Sequence, residues 1–202
     1  MKKLVLLVLC VSMLVSSLCV HAESLPVDVS IEVPQAFSFR NGVTWGMTQK
    51  EVIALEGEPT STNADNTMLI YANVTSAGKK AVVGYTFSSG TLATIVVLFQ
   101  EKHSSDNLYI QDFDDIDESL TAKYGEPALD RNLNWIDDLF MGDEKNYGLA
   151  VSCGDLSIAS IWDTENLQIV HTLEGDNYQI EHGMVYSYSL THEKTAPNTD
   201  GI

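Results

Sequence analysis

Two stretches of the chain stop a helix in the same way. They are Leu55-Glu56-Gly57-Glu58-Pro59 and Lys123-Tyr124-Gly125-Glu126-Pro127, with the two glycines 68 positions apart. Glycine takes the left-handed conformation just past a helix end without a Cβ penalty, and proline two residues later prevents the helix from resuming. Each stop is preceded by helix signals and followed by runs with strand character. A repeated unit of helix followed by strands limits the fold more than any other feature of the sequence.

The first helix is expected over roughly 49–56. Thr48 and Glu51 have the spacing of a capping box, in which the threonine oxygen accepts from the third amide and the glutamate reaches back to the cap. The second is expected over roughly 113–124, where Phe113, Ile116, Leu120 and Tyr124 recur at spacings of three and four. Asp112, Asp114, Asp115, Asp117 and Glu118 would then crowd its first turns, where the helix dipole favours negative charge.

Strand-like segments follow the first helix at 67–74, 80–88 and 92–100, with Ser88-Ser89-Gly90 as a hairpin turn. After the second come 132–140, 147–153, 156–163, 167–173 and 178–190, with loops at Gly154-Asp155 and at 174–177. Successive strands with two helices among them argue for antiparallel pairing, because parallel neighbours need crossover helices. The expected fold is α+β: two tandem repeats of helix plus antiparallel strands, 23–102 with an amino-terminal arm and 103–190, forming a two-layer sheet with short helices on one face. Residues 191–202 are expected to be a flexible tail.

Residues 1–22 have the pattern of a cleaved export signal. Lys2 and Lys3 precede an apolar run from Leu4 to Leu18, and Val20-His21-Ala22 places small residues at −3 and −1. The run is too short to span a bilayer. Cys19 raises a lipoprotein alternative, which Leu18 just before it disfavours. Cleavage would remove Cys10 and Cys19 and leave Cys153 alone, so no disulfide is expected within the mature chain.

Val43-Thr44-Trp45-Gly46-Met47-Thr48, followed by Glu51-Val52-Ile53 and the first helix stop, resembles the small exported domains of the SmpA/OmlA type. That family shares its α/β layout with the tandem-repeat β-lactamase inhibitory proteins, which are two copies of helix plus antiparallel strands. The resemblance implies such a tandem fold and a protein-binding role. This chain departs from the outer-membrane assembly lipoproteins of the family in its length, its repeat and its lack of a good lipidation site.

A search for reactive constellations finds little. Cys153 ends an alternating apolar run and reads as a small core residue. His192-Glu193-Lys194-Thr195-Ala196 begins like a zinc-protease helix but has alanine where the second histidine belongs. The acids at 112–118 fail the calcium-loop pattern, since Ile116 and Asp117 fall at positions five and six. No metal and no cofactor is expected.

With a four-residue loop at 174–177, His171 and His182 become diagonal neighbours on one strand face, together with Tyr178, Met184, Tyr186 and Tyr188. That face reads either as core beneath the helices or as an aromatic patch for a partner. On the second reading the candidate contacts are Tyr178, His182, Tyr186, Tyr188 and Trp162.

The charge is uneven. Of 28 acids and 11 bases, residues 103–202 hold 20 acids and 4 bases, and residues 23–102 hold 8 and 5. Such a chain repels nucleic acid and anionic membranes and would steer a protein partner by its basic surface. The functional expectation is an exported, non-enzymatic domain that binds an unidentified protein through a sheet face. The alternative is a sensor that binds a cation or small ligand through the acidic half.

Overall fold

Thr48 opens the first helix, α1 (Gln49–Glu56), with the expected capping box: its hydroxyl accepts from the Glu51 amide, and the Glu51 carboxylate accepts from the Thr48 amide at 2.8 Å. Gly57 ends it at a φ of 83°. The structure is a computed structural model that describes residues 37–188. The expected export signal at 1–22, the arm at 23–36 and the tail at 191–202 lie outside the described residues.

After α1 come β1 (Ser61–Thr62), β2 (Met68–Ser76), β3 (Lys79–Ser88) and β4 (Thr91–Phe99). The second helix, α2 (Asn107–Tyr124), precedes β5 (Leu129–Trp135), α3 (Tyr147–Cys153), β6 (Leu156–Thr164), β7 (Leu167–Asp176) and β8 (Gln179–Tyr188). All eight strands join one antiparallel sheet in the order β1-β2-β3-β4-β8-β7-β6-β5. A helix followed by four strands thus occurs twice, with α3 inserted in the second set, and the sets meet where β4 pairs with β8. The fold is α+β, as expected.

Three local expectations need correction. Residues 147–153 are helical, because Tyr147, Ala150 and Val151 recur at spacings of three and one and join Phe113, Leu156, Ile158 and Leu173 in a buried cluster. In so short a segment, L-A-V-S-C satisfies a strand pattern equally well, and packing decides. Helix α2 begins six residues earlier than expected, so the acids at 112–118 lie in its middle and no acid occupies its first turn. The loop at 174–177 shrinks to the two-residue turn Asn177-Tyr178, both at positive φ (48° and 60°). That is the type I′ geometry that suits a twisted hairpin, with a tyrosine where glycine usually sits.

The sheet has one covered face. Tyr71 donates its hydroxyl to the Gly57 carbonyl and Tyr85 to Glu56, which places α1 over β2 and β3. Phe113 of α2 stacks on His171 of β7 at a centroid distance of 4.1 Å and an interplanar angle of 7°. The α3 residues Ala150 and Val151 pack on Leu156, Ile158 and Leu173 of β6 and β7. All three helices therefore lie on the same side. Near each edge of the sheet a ladder is interrupted by a bulge, between Tyr71 and Val74 in β2, beyond the reach of the two-residue β1, and between Leu129 and Asn132 in the outermost strand β5. Each bulge holds a non-glycine residue at positive φ, Asn73 (56°) and Arg131 (40°).

Candidate functional site

The register of β7 against β8 decides what the aromatic face does. His171 pairs with Met184 and Leu173 with His182, which moves the expected pairing by an even number of residues. An even shift keeps every side chain on its face, so His171 and His182 remain diagonal neighbours. That face is the one beneath the helices. Trp162, His182 and Tyr186 are buried, which removes them from the proposed partner contacts: a side chain already packed against helices has no area to offer a partner. Trp162 donates its indole N–H to the Gly125 carbonyl, tying β6 to the end of α2. Tyr188 is half-buried beside Trp45. Tyr178, at the tip of the β7–β8 turn, is 70% exposed and is the one of the five fully available to solvent.

Between α2 and the sheet lies a polar chain that the sequence reading missed. The Arg131 amide donates to Ser160 Oγ at 2.9 Å, and Ser160 Oγ donates to Asp117 Oδ2 at 2.5 Å. Asp117 Oδ1 lies 2.5 Å from His171 Nδ1, and His171 Nε2 lies 2.8 Å from His182 Nε2. With both rings neutral, one proton arrangement satisfies every link: His171 donates to Asp117 through Nδ1, and His182 donates to His171 through Nε2. The signal for this chain was present. Asp117 falls four residues after Phe113 and three before Leu120, on the apolar stripe itself, so it needed a partner in the sheet.

A row of Asp, His and His invites a catalytic reading, but the geometry opposes it. Both rings are buried, Phe113 lies over His171, and Ser160 donates to the carboxylate rather than to a histidine. A nucleophile needs a base within reach and access to substrate. The second acidic contact is separate: Asp112 accepts from Lys79 Nζ at 2.6 Å and lies 2.7 Å from His103 Nε2. Burial pushes its carboxyl up, and the hydrogen bonds from Lys79 and His103 more than reverse this, holding it below the usual carboxylate range. Asp114 pairs with Arg131. These three carboxylates of the cluster, expected to cap a helix or hold a cation, are thus engaged by the protein's own groups. No group of three or more metal-ligating side chains occurs among the described residues.

The buried rings make stability depend on pH. Burial lowers His171, against the pull of Asp117 and Asp114, and lowers His182 further, with His171, Lys79 and His103 adding to the effect. An unfolded histidine titrates near about 6.5. Below that value the unfolded chain takes up protons that the native rings refuse, so their contribution is complete above pH 6.5 and lost as pH falls. Each ring costs about 1.4 kcal/mol per pH unit over which it stays neutral. Glu174, raised by burial and then by Glu181, works in the opposite sense but within the carboxylate range. The urea midpoint is therefore expected to fall between pH 7.5 and 5.5, with a shallower fall in His182→Gln, which keeps a donor without the titration. Equal midpoints at the two pH values would remove this account.

The other face of the sheet carries none of the three helices. One cross-strand row there is wholly apolar: Ile70, Gly84, Val96, Val185, Val170, Ile161 and Leu129 face one another across seven strands. On one side runs a polar row, with Thr86, Thr94, Ser187, Gln168 and Asp163. On the other are Val82, Leu98, Gly183, Thr172 and Ala159, and beyond them Glu174 directly opposite Glu181. Ile70, Val82, Leu98, Val170 and Ile161 are half-buried and Leu129 is exposed, whereas Gly84, Val96, Gly183 and Val185 in the middle of the sheet are buried. The apolar area open to solvent is therefore that of the half-buried residues and Leu129, and with its polar border it has the composition of a docking surface. No family model, curated protein or solved structure matches the chain.

Proposed function

We propose that this protein is an exported, non-enzymatic domain that binds a protein partner through the helix-free face of its sheet. The observation that carries the reading is the apolar row from Ile70 to Leu129, left without a helix over it among the described residues. The resemblance of residues 43–59 to exported SmpA/OmlA-type domains, and through them to tandem inhibitory proteins, supports a binding role. The charge balance of residues 103–202, 20 acids to 4 bases, favours a partner with a basic surface. A net charge of −17 disfavours a second copy of the same chain as that partner.

The test is site-specific photocrosslinking in the envelope or secreted fraction of the native host. A crosslinking side chain at Val170 or Ile161 is expected to give one discrete adduct, weakened by added salt and lost with Glu174→Lys. The same group at Glu118, exposed on α2, is expected to give none. Equal adducts from all three positions, or none from the sheet positions, would defeat the proposal.

A further inference from the structure

A cavity of about 390 Å³ opens on the helix side of the molecule, between residues 38–40, the β2–β3 turn and the second half of α2. It is within the size range of small-molecule sites. Its floor is apolar: Ile116, Leu120, Met184 and Tyr186 line it and are buried. Among the described residues its lining includes Arg40 and Lys123 and no aspartate or glutamate. In a chain with 28 acids and 11 bases, two cations and no acid among the described lining residues is a local inversion of charge.

Both cations are held in place. Arg40 Nε lies 3.0 Å from Glu56 Oε1, and its Nη1 donates to the Thr75 carbonyl at 3.4 Å. The Glu56 side chain is fully buried, so this pair is neutral as a unit. Lys123 Nζ donates to the Ser38 carbonyl at 3.2 Å and sits 4.9 Å from the centre of the Tyr124 ring. A carbonyl and a π face orient an ammonium without neutralising it. Among the described residues the mouth of the cavity therefore carries one positive charge with no carboxylate paired to it, above an apolar floor.

We infer that this cavity binds a small amphipathic monoanion, an organic carboxylate with a short alkyl or single-ring body. The carboxylate sits at Lys123 and the body lies on Ile116, Leu120 and Met184. A dianion has no second free cation to meet, and a neutral alcohol forgoes the charge. The site is independent of the sheet face, since it lies on the helix side.

The probe is octanoate, titrated into the purified protein and followed by amide NMR and calorimetry, with octanol and octylamine as controls. Octanoate is expected to shift amides in 119–124 and 184–186. Lys123→Glu, a change at an exposed side chain, is expected to weaken it at least about tenfold, close to 1.4 kcal/mol, while Lys123→Arg retains binding. An unchanged melting curve for Lys123→Glu separates this from unfolding. The inference is overturned if octanoate shifts no amide at millimolar concentration, if octanol binds as well, or if Lys123→Glu binds equally.

Discussion

Replacing Asp117 by alanine is expected to lower the unfolding free energy by about 3 kcal/mol. The carboxylate is the hub of the buried chain: it accepts from Ser160 Oγ and from His171 Nδ1, both buried. Removing it leaves two donors away from water without an acceptor, each costing about 1–3 kcal/mol. The effect spreads beyond α2, because His171 also fixes the orientation of His182, and both rings pack near Phe113. Asp114→Ala, three residues away, is the comparison. Its partner Arg131 and its own side chain are largely solvated, with relative exposures of 37% and 48%, and exposed pairs contribute less than about 1 kcal/mol. Urea unfolding of the two variants at pH 7.5 separates the roles; equal losses would mean that the buried chain has no special weight.

A comparable loss, again about 3 kcal/mol, is expected from Gly148→Ala. The glycine stands in the first turn of α3, where its amide donates to Asn107 Oδ1 at 2.8 Å, and Asn107 Nδ2 donates to the Lys145 carbonyl at 2.6 Å. A Cβ at this position would overlap the Asn107 nitrogen and the Asp106 carbonyl carbon. The obstacles are backbone, which cannot swing aside, so α3 must lift from the start of α2 at the usual cost of overpacking, one to several kcal/mol. Gly84→Ala makes the contrast: its backbone is not in the positive-φ region, and the nearest group to its added Cβ would be the flexible Met68 side chain, 3.5 Å away at Sδ, so a change below about 1 kcal/mol is expected. If thermal melts show the two substitutions to be equivalent, the α2–α3 contact is looser than described.

The parts of the fold legible in the sequence were those set by local chemistry. Thr48, Glu51, Gly57 and Gly125 each act within one turn of chain, and their helix ends follow from backbone geometry alone. The segment at 147–153 was illegible because its seven residues satisfy two periods. The choice between them is made by Phe113 and Leu173, far away in sequence. The start of α2 was set too late for a related reason: the acids at 112–118 look like first-turn residues until Asp112 and Asp117 are seen to reach Lys79 and His171.

The site was half legible. Alternation along β8 separates the two faces of the strand and puts His182 with Tyr186, but it does not say which face the helices cover. The face taken as a possible partner surface is the core, and the apolar row behind it contains the valines and isoleucines that a residue-by-residue search for polar chemistry passes over. Asp117 on the α2 stripe settles the choice, since a buried carboxylate can be satisfied only by the face that carries His171.

The two edge bulges have a further consequence. A sheet ends in unpaired backbone that invites another chain to add a strand, the first step toward fibrils. Here Asn73, in the part of β2 that the two-residue β1 does not cover, and Arg131, on the outermost strand β5, each take a positive φ and break the β2–β3 and β5–β6 ladders. Thr60 Oγ1 accepts the Ala72 amide, and Arg40 occupies the Thr75 carbonyl. These features blunt the addition of strands at the edges, and the proposed partner would meet the sheet through its helix-free face instead.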